Sequence, residues 1–422
     1  MGDGLNERAR DAGAVAAVVA RRSYGRLVAF LAARTRDLAA AEDALAEAFA
    51  AALVDWPAHG CPDNPEGWLL TTARRRLIDA TRRRQSDAST ATSLAVLVEA
   101  LGVDFDPADE AVMLPDRRLA LLFACAHPSI DPSIRAPLML QAVLGLDAKR
   151  IGAAFMIAPA TIGKRLVRAK AKIRDAGIPF RVPERDDLPE RLDAVLAAIY
   201  AAFGEGWVDT TGLDPIRRDL ALEAIFLAGL VVELMPTEPE ALGLLALLLH
   251  AEARRAARRD RDGRYVSLDD QDCSRWDGDM IRRAEALIVE AAAFDRLGRY
   301  QLEAALQSAH VARRRSGNDR WDDVVAIYDA IATVAPSPVV TINRAVAIAR
   351  RDGALAGLDA LDVLAADPRM RAYQPYWAAR ADLLAQAGQG AAAADAYRLA
   401  IELEADPAVR AFLEARRARV AH

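Results

Sequence analysis

Nearly every stretch of this chain is patterned for helix. Ala, Leu, Arg and Glu dominate, apolar residues recur at three- and four-residue spacing, and alternating β-branched runs are scarce. That pattern predicts an all-α protein. At 422 residues the chain is too long for one ordinary core, so two to four domains are expected. Its longest apolar run, residues 241–249, is about half of what a bilayer span requires. The opening MGDGLNERAR has no apolar signal core. Cys61, Cys125 and Cys273 lie far apart, forming neither a disulfide framework nor a zinc pair. A cytoplasmic protein with no membrane partner is the expectation.

Charge divides the chain. Residues 1–183 hold 25 Lys+Arg against 21 Asp+Glu, whereas the remainder holds 30 against 39. All four lysines (Lys149, Lys164, Lys170, Lys172) fall in one short segment. A basic first half suits a polyanion, and the acidic second half argues against DNA contact there. The asymmetry suggests that the acidic part covers a basic face until a partner binds.

Punctuation gives three blocks: residues 14–84, a polar linker at 85–115, a second block at 116–183 ending in IPFRVPERDDLP, and a long third block at 184–422. Within the third, LGRYQLEAALQSA (297–309) and AGQGAAAADAYRLAIEL (387–403) share a Gly–x–small/aromatic–Ala helix-pair pattern similar to the tetratricopeptide repeat. Such stacks form concave surfaces for protein or peptide.

The segment LDAKRIGAAFMIAPATIGKRLVRAKAKIR (146–174) predicts a short helix, a tight turn and a second helix opened by Pro159. Spacing places Thr161, Lys164, Arg165 and Arg168 on one face, with Ile162, Leu166 and Ile173 towards the core. This is a helix-turn-helix pattern, whose second helix enters the major groove. Lys149, Arg150, Lys170, Lys172 and Arg174 would reach phosphates. In the first block, an amphipathic helix bearing Asp37, Glu42, Asp43 and Glu47 precedes NPEGWLLTTARRRLIDATRRR (64–84). There Trp68, Thr71, Thr72, Arg75 and Asp79 fall at helical spacing beside two arginine triplets. Aromatic and hydroxyl groups among arginines suit single-stranded DNA.

The order of acidic helix, Trp/Thr/Arg helix, linker and helix-turn-helix resembles an extracytoplasmic-function (ECF) RNA polymerase sigma factor over residues 14–183. The resemblance implies a sigma domain 2 and a sigma domain 4, with core RNA polymerase and promoter DNA as partners. By motif it implies that Glu42, Asp43 and Glu47 face polymerase. Trp68, Thr71, Thr72, Arg75 and Arg76 would handle the melted minus-ten strand. Lys149, Thr161, Lys164, Arg165 and Arg168 would read the minus-thirty-five element. RLDAVLAAIYAAFGEGW (191–207) and SLDDQDCSRWD (267–277) resemble a subgroup with a tetratricopeptide-like extension that tunes sigma activity, associated with small DGPF-type proteins. Gly204 and Cys273 depart from that pattern, where Asn and Arg are usual. Asp270, Asp272, Arg275, Trp276 and Asp277 form the expected regulatory motif.

The acidic cluster Asp269, Asp270, Asp272, Asp277 and Asp279 faintly resembles a cation site, but RDRDGRYVSLDD places Arg258 at the first ligand position and lacks the bidentate Glu. Helix caps and Asp/Arg pairs, such as Asp272–Arg275 or Asp277–Arg282, are the better reading. No catalytic motif is visible, the five histidines are scattered, and no cofactor or metal is expected. Competing readings are a one-component helix-turn-helix activator with a sensing repeat domain, a repeat scaffold, and, more remotely, a metal-dependent hydrolase.

Overall fold

The computed structural model describes residues 2–85, 117–155, 157–207 and 215–420. Among them every regular element is helical, and the only strand-like pairing is an isolated bridge between Arg259 and Tyr265. The chain forms two compact units: residues 1–207 with 216–227, and residues 208–215 with 228–422.

In the first unit α1 (Gly2–Thr35), α2 (Leu38–His59) and α3 (Pro65–Gln85) pack on one another. Asp37 caps α2 by accepting from the Ala40 N–H at 3.0 Å, and Asn64 caps α3 through the Gly67 N–H at 2.9 Å. Between them the chain turns at Gly60, whose φ of +95° suits glycine. α2 buries Leu38, Ala41, Leu45, Ala48, Ala52 and Trp56 along one stripe. Arg26 Nη2 donates to both carboxylate oxygens of Glu66, at 2.7 and 2.5 Å, which ties α1 to α3.

A second group follows: α4 (Arg118–Cys125), α5 (Pro132–Leu144), α6 (Ala148–Phe155) and α7 (Pro159–Asp175). The two groups meet backbone to backbone. A Cβ on Gly25 of α1 would stand 1.9 Å from the Val143 carbonyl oxygen of α5, so only glycine permits this crossing. The linker read at 85–115 lies, from residue 86 on, outside the described residues.

The boundary read at 183/184 does not mark the end of a core. α8 (Leu188–Trp207) packs on α4, α5 and α6 within the first unit and buries Leu192, Val195, Leu196, Ile199 and Phe203. The proline-rich stretch before it bends the chain without separating hydrophobic cores. α9 (Pro215–Leu234) contributes residues to both units.

The second unit is a succession of helices: α10 (Pro239–Ala253), α11 (Gly278–Ala292), α12 (Arg299–Ser316), α13 (Trp321–Val334), α14 (Pro338–Asp352), α15 (Ala354–Asp362), α16 (Gln374–Gln386), α17 (Gly390–Leu403) and α18 (Pro407–Val420). Most pack on their neighbours in sequence. α10 is apolar around its circumference and lies buried beneath α11 and α12. At Gly243 a Cβ would come within 2.6 Å of the Gln301 nitrogen. One turn earlier, the Glu240 carboxylate accepts from the N–H groups of Tyr300 and Gln301 at 3.0 and 3.1 Å. It thereby satisfies two of the donors that open α12.

Two outcomes follow from this packing. Glu240→Ala leaves those donors without their carboxylate and is expected to cost the second unit about 1–2 kcal/mol. Urea denaturation measures it, and an unchanged midpoint would show the cap to be idle. A chain ended after Pro183 strips α8 from its partners and is expected to lose cooperative melting, whereas one ended after Leu234, which keeps α8 and residues 216–227, retains it. Circular dichroism melts of the two truncations decide between them.

Candidate nucleic-acid interface

The Asp147 side chain caps α6 through the Arg150 N–H at 2.8 Å. The turn after α6 is drawn tight by a 2.9 Å bond from the Ile157 N–H to the Gly152 carbonyl, and a Cβ on Gly152 would meet the Ile157 oxygen at 2.6 Å. Pro159 then opens α7. Ile162, Leu166, Ala169 and Ile173 are buried along one side of it. Thr161, Lys164 and Arg168 are exposed on the other, as is Lys149 at the start of α6. The helix-turn-helix geometry expected at 146–174 is therefore present.

Two basic residues stand apart from that face. Arg165 is half-buried and donates through Nη2 to the Ser133 hydroxyl at 2.5 Å. Ser133 in turn donates to Asp131, and these hydrogen bonds hold the Asp131 carboxyl below the usual range. Arg165 thus lines a cleft of about 280 Å³ against the residues that open α5. Lys170 turns away from solvent altogether and pairs with Glu42 of α2. Both side chains are about seven-eighths buried, at 13% and 12% exposure. Burial raises the Glu42 carboxyl above its ordinary value even though Lys170 opposes the shift. Beside the pair, burial also pushes the Tyr24 hydroxyl and the Cys125 thiol up.

On α3, Trp68 is half-buried and meets the core residue Trp56 edge to face, with ring centroids 5.6 Å apart. Thr71 and Thr72 lie half-buried next to it, and Arg75 and Arg76 are exposed. Burial, then the neighbouring charges of Arg74 and Arg117, lowers the Arg34 pKa, which marks a concentration of positive charge near α3. Of the acidic residues on α2, Asp43 and Glu47 are exposed, and Glu47 lies 3.5 Å from Arg76. Glu42 differs from the expectation of a polymerase-facing group, because Lys170 covers it.

In the second unit the motif at 267–277 acts as a set of caps. Asp270 accepts from the Ser267 hydroxyl at 2.5 Å, Asp272 from the Ser274 N–H at 2.9 Å, and Asp277 from the N–H groups of Asp279 and Met280 at 2.9 Å. Trp276 is buried, and its indole N–H donates to Gln271 at 3.2 Å. Neither proposed ion pair forms: Arg275 donates to the backbone carbonyls of Arg259 and Ala256, and Arg282 pairs with Asp279. The Asp260 carboxylate accepts from the N–H groups of Asp262 and Arg264 at 2.9 Å, closing a turn. Among the described residues, no group of three His, Cys, Asp or Glu side chains converges as a metal site would require. Sequence reasoning missed the Glu42–Lys170 contact, since the partners lie 128 positions apart.

Comparison with known proteins identifies parts of this architecture. The sigma-70 region 2 family matches residues 19–87, covering the second half of α1 and all of α2 and α3. A family of unknown function, DUF6596, matches residues 191–292, from α8 to the end of α11. The chain is 37% identical over 387 residues to the uncharacterized protein R00370 of Rhizobium meliloti, covering 90% of this chain and 89% of that protein. It is 29% identical over 119 residues to the ECF RNA polymerase sigma factor SigE of Mycolicibacterium smegmatis, covering 27% of this chain and 43% of that relative. No solved structure matches it. The chain therefore belongs to one family with R00370, and its first three helices carry a sigma-70 region 2 domain.

Proposed function

We propose that this protein is an ECF-type sigma factor that binds core RNA polymerase in the cytoplasm, directs it to particular promoters and helps to open them. The observation that carries the reading is the sigma-70 region 2 match at 19–87 in the same compact unit as a helix-turn-helix with an exposed basic face. In this reading Trp68, Thr71, Thr72, Arg75 and Arg76 take the melted strand. Lys149, Thr161, Lys164 and Arg168 take the duplex, and Asp43 and Glu47 take polymerase. The second unit acts as a tetratricopeptide-like regulator with no enzymatic activity, and a small DGPF-type protein is its proposed partner.

The contact between α2 and α7 bears on how such a factor works. Minus-ten and minus-thirty-five elements lie about twenty-five base pairs apart, roughly 85 Å of duplex. With α7 held against α2 through Lys170 and Glu42, α3 and α7 cannot reach their two elements at once. The packed arrangement is therefore the promoter-free form, and engagement separates the two helix groups.

Transcription in vitro with purified core polymerase, from the gene's own upstream region, tests the assignment. Promoter-specific transcripts are expected with the full chain and should fall roughly 5- to 150-fold with Trp68→Ala, since one stacked base contributes about 1–3 kcal/mol. Lys164→Ala should weaken promoter binding and lower its salt dependence by about one phosphate contact. Duplex binding that gives core polymerase no specificity would instead favour a one-component activator. Gly25→Ala forces α1 away from Val143 and is expected to increase the radius of gyration in solution scattering while helix content is kept. An unchanged radius would refute the opening model.

A further inference from the structure

The second unit encloses a groove whose polar lining plays no part in the reading above. Its volume is about 320 Å³, within the range of small-ligand sites. Three arginines reach it from different helices: Arg313 of α12, Arg350 of α14 and Arg416 of α18. Trp321 forms a wall between the first two, with the Arg313 guanidinium carbon 4.4 Å and that of Arg350 5.8 Å from its ring centroid. Stacking of this kind holds a guanidinium flat and leaves its N–H edge for an anion.

The chain itself displays what that edge accepts. The Asp269 carboxylate takes one oxygen to Arg313 Nη2 at 2.5 Å and the other to Arg350 Nη2 at 2.9 Å. Burial works against the charged carboxylate, but the hydrogen bond and charge of Arg313, with the charge of Arg350, keep its pKa below the usual range. Asp269 lies on a short turn, Leu268–Asp270, and not on a rigid helix. The remaining lining is incompletely satisfied. Arg313 Nε and His310 Nδ1 are buried without a hydrogen-bond partner. Burial lowers the His310 pKa to about 4, so the ring is neutral at physiological pH. A neutral imidazole and a spare guanidinium N–H beside aromatic side chains suit an anion attached to an apolar body.

We propose that this groove is a carboxylate-binding site for a small acid with an aromatic or aliphatic body, with Asp269 as its resident competitor. The acid can be a free metabolite or the acidic end of a peptide, because both present the same group to Arg313 and Arg350. An incoming carboxylate replaces Asp269 on the two arginines and frees the turn that leads into the 267–277 motif. Occupancy is thereby coupled to a segment anchored by Arg314, which donates to the Gln271 carbonyl at 2.9 Å.

Ligand-observed NMR on the full chain tests this with benzoate, hexanoate, N-acetyl-aspartate and a short peptide ending in aspartate, each beside its amide. The acids are expected to bind and the amides not. Asp269→Ala should tighten acid binding on the order of tenfold by removing the competitor, and Arg350→Gln should weaken it by a similar factor. Arg350 is half exposed, and a melting curve confirms that its variant folds. Binding of the peptide alone identifies a protein partner as the source, and binding of the free acids identifies a metabolite. Equal binding of acids and amides, absence of any acid binding to Asp269→Ala, or indifference to both substitutions overturns the proposal.

Discussion

The first unit depends on the close approach of two backbones. With no side chain at Gly25, the Val143 carbonyl sits where a Cβ would be, and α1 lies directly on α5. That contact fixes where everything attached to the two helices must go. It carries α2 against α7, which brings Glu42 and Lys170 together in a nearly closed environment. The ion pair is not what makes the contact stable, because desolvating two charges offsets most of their attraction. Its effect is to select one docking: any slip along the seam would leave a buried charge without its partner.

The second unit uses charge differently. Its carboxylates first serve nearby backbone donors, as Asp272 and Asp277 do for the helical turns that follow them. Others, with no such donor nearby, pair with arginines from distant helices. Asp269 draws together α12 and α14, and Asp382 of α16 holds Arg416 of α18. These partly exposed pairs contribute little stability individually. They do set the positions of the guanidinium groups around the groove, which gives the stack a chemically defined inner surface.

What was legible in the sequence is whatever a helix determines by itself. Pro159 at a first turn and the buried Ile162–Leu166–Ile173 stripe both depend on residues within a few positions of one another. The facing of Thr161, Lys164 and Arg168 was readable for the same reason. Arg165 and Lys170 were not, because spacing reports a face relative to its own axis and says nothing of what docks there. Ser133 and Glu42 reach them from elsewhere in the chain. The expected pairs Asp272–Arg275 and Asp277–Arg282 failed because a backbone N–H two or three residues away is closer and already oriented. The boundary at 184 failed because prolines mark a change of direction, while the apolar face of α8 determines which core it joins.

The seam between the helix groups is also suited to come apart. Glu42 Oε1 is buried without a hydrogen-bond partner, and burial outweighs Lys170 in raising the Glu42 pKa. A carboxyl whose pKa is raised in the packed form binds its proton more tightly there than in water. Below its ordinary pKa it is protonated in either form, and proton binding then favours packing most. As pH rises through the raised value the carboxyl ionises, and that contribution is lost. Once ionised, the carboxylate is better solvated when the seam opens, as is the lysine that leaves with it. An apolar seam of the same size would give up its full transfer free energy on opening. The ion pair returns much of its desolvation cost on separation, so the close approach at Gly25 matters more than the ion pair in holding the packed arrangement together.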